Sequence, residues 1–96
     1  MDKQKKTAES PEAVNMEMGK FYFLNNKFDE AIKQFEKVLE INPSNAEAYY
    51  NIGLIKESSN AVEEAKAMYM SALKIKQDYK IAQEKLNNLM GIDKDE

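Results

Sequence analysis

Residues 15–43 read NMEMGKFYFLNNKFDEAIKQFEKVLEINP, and this stretch decides the fold. It places Met18-Gly19 ahead of Tyr22, then Ala31, Phe35, Val38 and Pro43. A shift of 34 positions returns the same chemistry: Gly19 becomes Gly53, Ala31 becomes Ala65, Phe35 becomes Tyr69, Leu39 becomes Leu73 and Ile41 becomes Ile75. A partial third copy keeps Val14, Ala48 and Ala82 in step, and likewise Met18, Ile52 and Leu86. A fixed period of this length marks a repeat architecture, in which each unit buries its apolar face against a neighbour.

The spacing resembles the tetratricopeptide repeat, whose signature is W-x2-L-G-x2-Y, then A-x3-F, then P over 34 residues. The first copy reads Asn15-x2-Met18-Gly19-x2-Tyr22, Ala31-x3-Phe35, Pro43. The second reads Tyr49-x2-Ile52-Gly53-x2-Lys56, Ala65-x3-Tyr69, with Gln77 in place of the proline. Asn15 for tryptophan, Lys56 for tyrosine and Gln77 for proline are the departures. The resemblance covers about residues 12–90 and implies an all-α solenoid: two antiparallel helix pairs and a capping helix in a right-handed superhelix.

Local signals set the boundaries. A polar lead is expected to be disordered over residues 1–9. The repeat domain is expected over 10–91, with repeats at about 12–45 and 46–78, a cap helix at 79–90 and a charged tail at 92–96. Ser10-Pro11-Glu12 has the chemistry of a helix start: a hydroxyl for free amides, a ring that suits the first turn, an acid at the positive end. Helices are predicted from there to about Asn25, from about Phe28 to Ile41, Ala46 to Ser58, Ala61 to Lys76, and Tyr79 to Met90. Ser44 with Glu47 predicts a capping box, and Asn60 with Glu63 repeats it. Gly91 suits the left-handed position after a helix.

Glycine inside a helix costs about 1 kcal/mol against alanine. Gly19 and Gly53 are expected to face Ala31 and Ala65 so that paired backbones approach closely. Val14, Met18, Phe21 and Tyr22 are the expected apolar positions of the first helix, and Met18 and Met68 are assigned to the core. Gln83 and Asn87 stand on the fifth helix where the full repeats carry a large residue and a glycine; terminal repeats are atypical in this way.

Composition narrows the function. The chain has 96 residues, 32% charged and 43% hydrophobic, with net charge −3. Nucleic acid is not an expected partner, because the basic footprint is missing. All 14 basic residues are lysine, and histidine and cysteine are absent. Thiolate and imidazole chemistry and zinc sites of the Cys/His kind are thereby excluded. No catalytic residues, metal site or cofactor are expected. Pairs such as Asp29-Glu30 and Glu63-Glu64 lie in first helical turns, where acids suit the dipole. The N-terminus lacks the apolar core of a secretory signal. No run approaches the roughly 18 apolar residues of a membrane span, so no membrane insertion is expected. A cytoplasmic location is the default reading.

The resemblance implies a protein-interaction module whose first helices line a concave groove. The side chains expected to contact a peptide there are Met16, Lys20 and Phe23, then Tyr50, Asn51 and Leu54, then Lys85. Phe23, Tyr50 and Leu54 are expected off the pair-packing stripe, with Tyr50 at the centre. A subset of the family resembles co-chaperones that clamp a C-terminal carboxylate. The matching positions are Met16, Lys20, Asn51, Ile81 and Lys85, of which only Asn51 agrees, with Lys85 a loose stand-in. The alternative partner is a second copy, a homo-oligomer joined through stacking edges or the groove.

Overall fold

A computed structural model describes residues 9–91. Most of the lead expected at the N-terminus (1–8) and the tail at 92–96 lie outside the described residues. Five helices carry the described chain: α1 Pro11–Leu24, α2 Phe28–Ile41, α3 Ala46–Ser58, α4 Val62–Ile75 and α5 Lys80–Met90. The fold is an all-α helical repeat. The chain divides into two compact units, Met1–Pro43 and Ser44–Glu96, at the Asn42-Pro43-Ser44 turn.

In the first unit α1 pairs with α2. Ser10 caps α1 by accepting from the Ala13 amide at 3.1 Å. After Leu24 the chain reverses through Asn26, whose φ is 61°, while the Lys27 amide donates to the Tyr22 carbonyl at 2.8 Å. Asparagine tolerates this left-handed backbone. The pair is antiparallel: the Asn42 amide side chain, just past α2, donates to the Glu12 carboxylate at the start of α1, 2.8 Å away. Between these ends, Phe35 lies over Gly19. Ala31, Phe35 and Val38 are wholly buried.

The second unit repeats the pairing with α3 and α4 and adds α5 against α4. Its reversal copies the first. Asn60 has φ 63°, and the Ala61 amide donates to the Lys56 carbonyl at 2.8 Å. Asn60 is therefore the left-handed turn residue and not the expected cap; no side chain caps α4. The cap of α3 is also displaced by one residue. Asn45, not Ser44, accepts from the Ala48 amide, at 2.9 Å. Both asparagine and serine are good caps, and sequence spacing alone cannot choose between adjacent ones. Gly91, at φ 78°, ends α5 as expected.

The atoms nearest the two glycines belong to aromatic rings of the paired helix. A Cβ on Gly19 would fall 2.5 Å from the Phe35 ring, and one on Gly53 would fall 2.6 Å from the Tyr69 ring. Each ring occupies the volume that a side chain on the facing helix would need. Ala31 and Ala65 remain small because they too are wholly buried. Ala31→Leu and Ala65→Leu are each expected to destabilise by about 1–3 kcal/mol through overpacking. Gly53→Ala should also destabilise, against its gain in helix propensity, because the Tyr69 ring has no room to retreat. Urea midpoints of the three variants check this; unchanged midpoints would show that these contacts are loose.

The expected apolar face of α1 is only partly right. Met16 is 7% exposed, whereas Met18 is 37%, Val14 42% and Phe21 58%. The assignment of Met18 to the core is thus corrected; Met68 is half-buried. On α5 the positions matching Val14 and Met18 are Ala82 and Leu86, which are buried in clusters with Ala72 and with Ala65 and Tyr69 of the preceding helix. Among the described residues no helix precedes α1.

Candidate functional site

The first helix of each pair carries the side chains expected to meet a partner. On α1, Lys20 and Phe23 are half-buried, and the Phe23 ring lies 5.8 Å from that of Phe28. Met16 is buried, to the same extent as Asn51 on α3.

On α3, Tyr50 and Leu54 are one turn apart and share a face. They do not lie off the packing surface as expected. Leu54 packs against the cluster of Ala65, Tyr69 and Leu86, and Tyr50 joins both core clusters of the second unit. The Tyr50 ring lies 5.8 Å from that of Tyr69 and 5.4 Å from that of Tyr79. Both side chains are only half-buried, so one side of each stays open to solvent. Asn51 is buried. Lys85, on α5, is half-buried.

Three tyrosines thus form one cluster built from α3, α4 and the start of α5. Tyr79 and Tyr69 were not foreseen as its members. The Tyr69 hydroxyl donates to Glu57 Oε1 at 2.7 Å, and Lys76 Nζ sits 5.0 Å above the Tyr79 ring. Burial holds the Tyr69 phenol far above its usual range, and the hydrogen bond to the Glu57 carboxylate adds to this. Burial and then the Glu47 carboxylate push Tyr79 up to about 12, and burial with the charge of Glu57 raises Tyr50. All three are neutral at ordinary pH, so the cluster offers apolar ring faces and uncharged hydroxyls.

The shifts have a definite sign. Each phenol ionises later in the folded chain than in the unfolded one, where the value is 10.0. Their contribution to stability is complete below about pH 10 and is lost as pH rises through the folded values. An alkaline titration followed by phenolate absorbance and circular dichroism should show ionisation of these tyrosines together with loss of helix. Ionisation of Tyr69 at its ordinary value with helix intact would contradict the cluster.

Among the described residues no group of three or more His, Cys, Asp or Glu side chains is placed to hold a metal ion. Among them, too, no helix is long and apolar enough to cross a membrane. On α1, Lys20 and Phe23 are partly exposed, and on α3 so are Tyr50 and Leu54.

Comparison with known proteins agrees with this fold. A model of the TPR repeat matches residues 19–59, and one of the tetratricopeptide repeat matches residues 46–79. The chain is 35% identical over 63 residues to a peroxisomal targeting signal receptor of Candida albicans, covering 66% of this chain and 11% of that protein. It is 38% identical over 65 residues to the protein ycf37 of Guillardia theta, covering 68% of this chain and 36% of that one. It therefore spans only a minor part of either relative. Among solved structures, the first TPR of Spaghetti (RPAP3), bound to the HSP90 peptide SRMEEVD, matches with TM-score 0.54 and 21% identity. That match covers 83% of this chain and 90% of the other.

Proposed function

The chain belongs to the tetratricopeptide repeat family, and from that premise we propose that it is a non-catalytic module that binds a peptide segment of a partner protein through its first helices. The observation that carries the reading is the half-open Tyr50–Leu54 face of α3. A partly exposed tyrosine held by packing is the kind of side chain that dominates interfaces. The proposed contacts are Lys20 and Phe23 on α1, Tyr50, Asn51 and Leu54 on α3, and Lys85 on α5. Met16, buried to the same extent as Asn51, belongs to the same proposed set. A scaffold or adaptor role in the cytoplasm belongs to the same proposal.

The test starts from peptides selected by display against the intact chain. Tyr50→Ala is unsuitable, because Tyr50 also packs in the core. Tyr50→Phe removes only the hydroxyl and should weaken binding by about 0.5–1.5 kcal/mol where a peptide bonds to it. Lys20→Glu and Lys85→Glu should slow association and alter its salt dependence. Selected peptides that bind all three variants as they bind wild type would sink the proposal.

The peptide of the Spaghetti structure is a specific case. A peptide ending in that acidic carboxylate is expected to bind this chain weakly or not at all. Two of the clamp positions named above hold Met16, which is buried, and Ile81, which carries no charge. A lysine point charge at Lys85 does not reproduce an arginine fork. Micromolar binding abolished by Asn51→Ala would contradict this.

Self-association is a second reading, favoured by the exposed Val14, Met18 and Phe21 on α1. A row of apolar side chains open to water commonly marks an interaction surface. Light scattering over a range of concentrations, with Met18→Glu as control, separates it from peptide binding.

A further inference from the structure

A second apolar surface lies wholly within the second unit, apart from the side chains proposed above. It is a groove of about 590 Å3 lined by Ala67, Met70, Ser71, Leu73 and Lys74 of α4 and Leu86 of α5. Met70 is 56% exposed there. The repeat period makes this surface distinctive. The α2 residues 34 positions earlier are Lys33, Glu36, Lys37 and Glu40, where α4 has Ala67, Met70, Ser71 and Lys74. Three charged positions have become small or apolar, and the fourth has changed from acid to base.

We propose that this groove is a docking site for a short amphipathic helix bearing a carboxylate beside its apolar stripe. Charge argues for the acid. The chain carries 17 acidic residues and a net charge of −3, yet among the described residues lining the groove the one that is charged is Lys74. Size argues for a short segment. The lining runs over two turns of α4, whereas a stable interface between globular proteins takes about 20–30 residues a side. Backbone chemistry argues for a helix. Both walls are helices whose amides and carbonyls are bonded internally, so an extended strand would find no backbone partners. A helix brings its own hydrogen bonds satisfied. Ala67 and Ser71, one turn apart and small, leave room for its close approach.

Two synthetic helical peptides test this. Both carry leucines at i, i+3, i+4 and i+7; one has glutamates beside the stripe and the other lysines. Titrated into the isotope-labelled chain, the glutamate peptide should shift the amides of Ala67, Met70, Ser71 and Lys74. It should bind about threefold more tightly than the lysine peptide, the preference one exposed charge pair confers. Met70→Glu, which installs on α4 the residue type α2 carries as Glu36, should fold normally and weaken binding about tenfold. Lys74→Glu should reverse the preference between the peptides. The proposal is overturned if neither peptide shifts these amides, or if Met70→Glu leaves binding unchanged. It is also overturned if the chain alone associates with rising concentration and Met70→Glu abolishes that, since the occupant is then a second copy.

Discussion

Replacing Tyr69 by alanine is expected to unfold the second unit. The side chain is wholly buried, fills the volume beside Gly53, contacts Tyr50 and bonds to Glu57. Truncating a buried large aromatic costs about 3–5 kcal/mol. A unit of this size is held by only a few kcal/mol, since stability runs at roughly 0.05–0.15 kcal/mol per residue. Tyr69→Phe separates the parts. It keeps the ring and loses the hydroxyl, so about 1 kcal/mol should go with the hydrogen bond. Thermal melts by circular dichroism check both variants. A Tyr69→Ala melt close to wild type would mean that the ring is not the keystone of the helix pair. Phe35→Ala should reproduce the effect in the first unit, because Phe35 covers Gly19 in the same manner.

Truncation after Asp78 has the second large effect. It removes Ala82 and Leu86 and uncovers Ala65, Tyr69 and Ala72 on α4. Burial of one leucine side chain alone is worth about 1.5–3 kcal/mol. The bared face would also be a contiguous apolar patch, which favours aggregation. Loss of helicity or growth in light scattering is expected. A truncated chain that remains a stable monomer would show that α5 is dispensable and that α4 needs no cover.

Much of this fold was legible because the repeat supplies the same message twice. Gly19 with Phe35 and Gly53 with Tyr69 recur at one spacing, and the bounds of α2 and α3 follow from flanking Asn, Pro and Ser residues. Legibility stopped where two neighbouring residues could do one job. Asn45 and Ser44 compete for one cap. Periodicity finds an apolar stripe but not what covers it, which is why Met18 reads as core on α1 while only its counterparts Ile52 and Leu86 are buried. The site was harder. Tyr50 packs on Tyr69 and Tyr79, contacts set by how α4 and α5 meet α3, and no local signal in α3 records that meeting. The contrast between Met70 and Glu36 was visible in the repeat alignment, but it gains meaning only once α5 forms the other wall.

The most direct test of peptide binding is an amide-shift map of the isotope-labelled chain during titration with a display-selected peptide. Shifts should gather at Lys20, Phe23, Tyr50, Asn51, Leu54 and Lys85 and saturate at one peptide per chain. Shifts confined to Val14, Met18 and Phe21, growing with protein concentration when no peptide is present, would contradict peptide binding and make the chain a self-associating module.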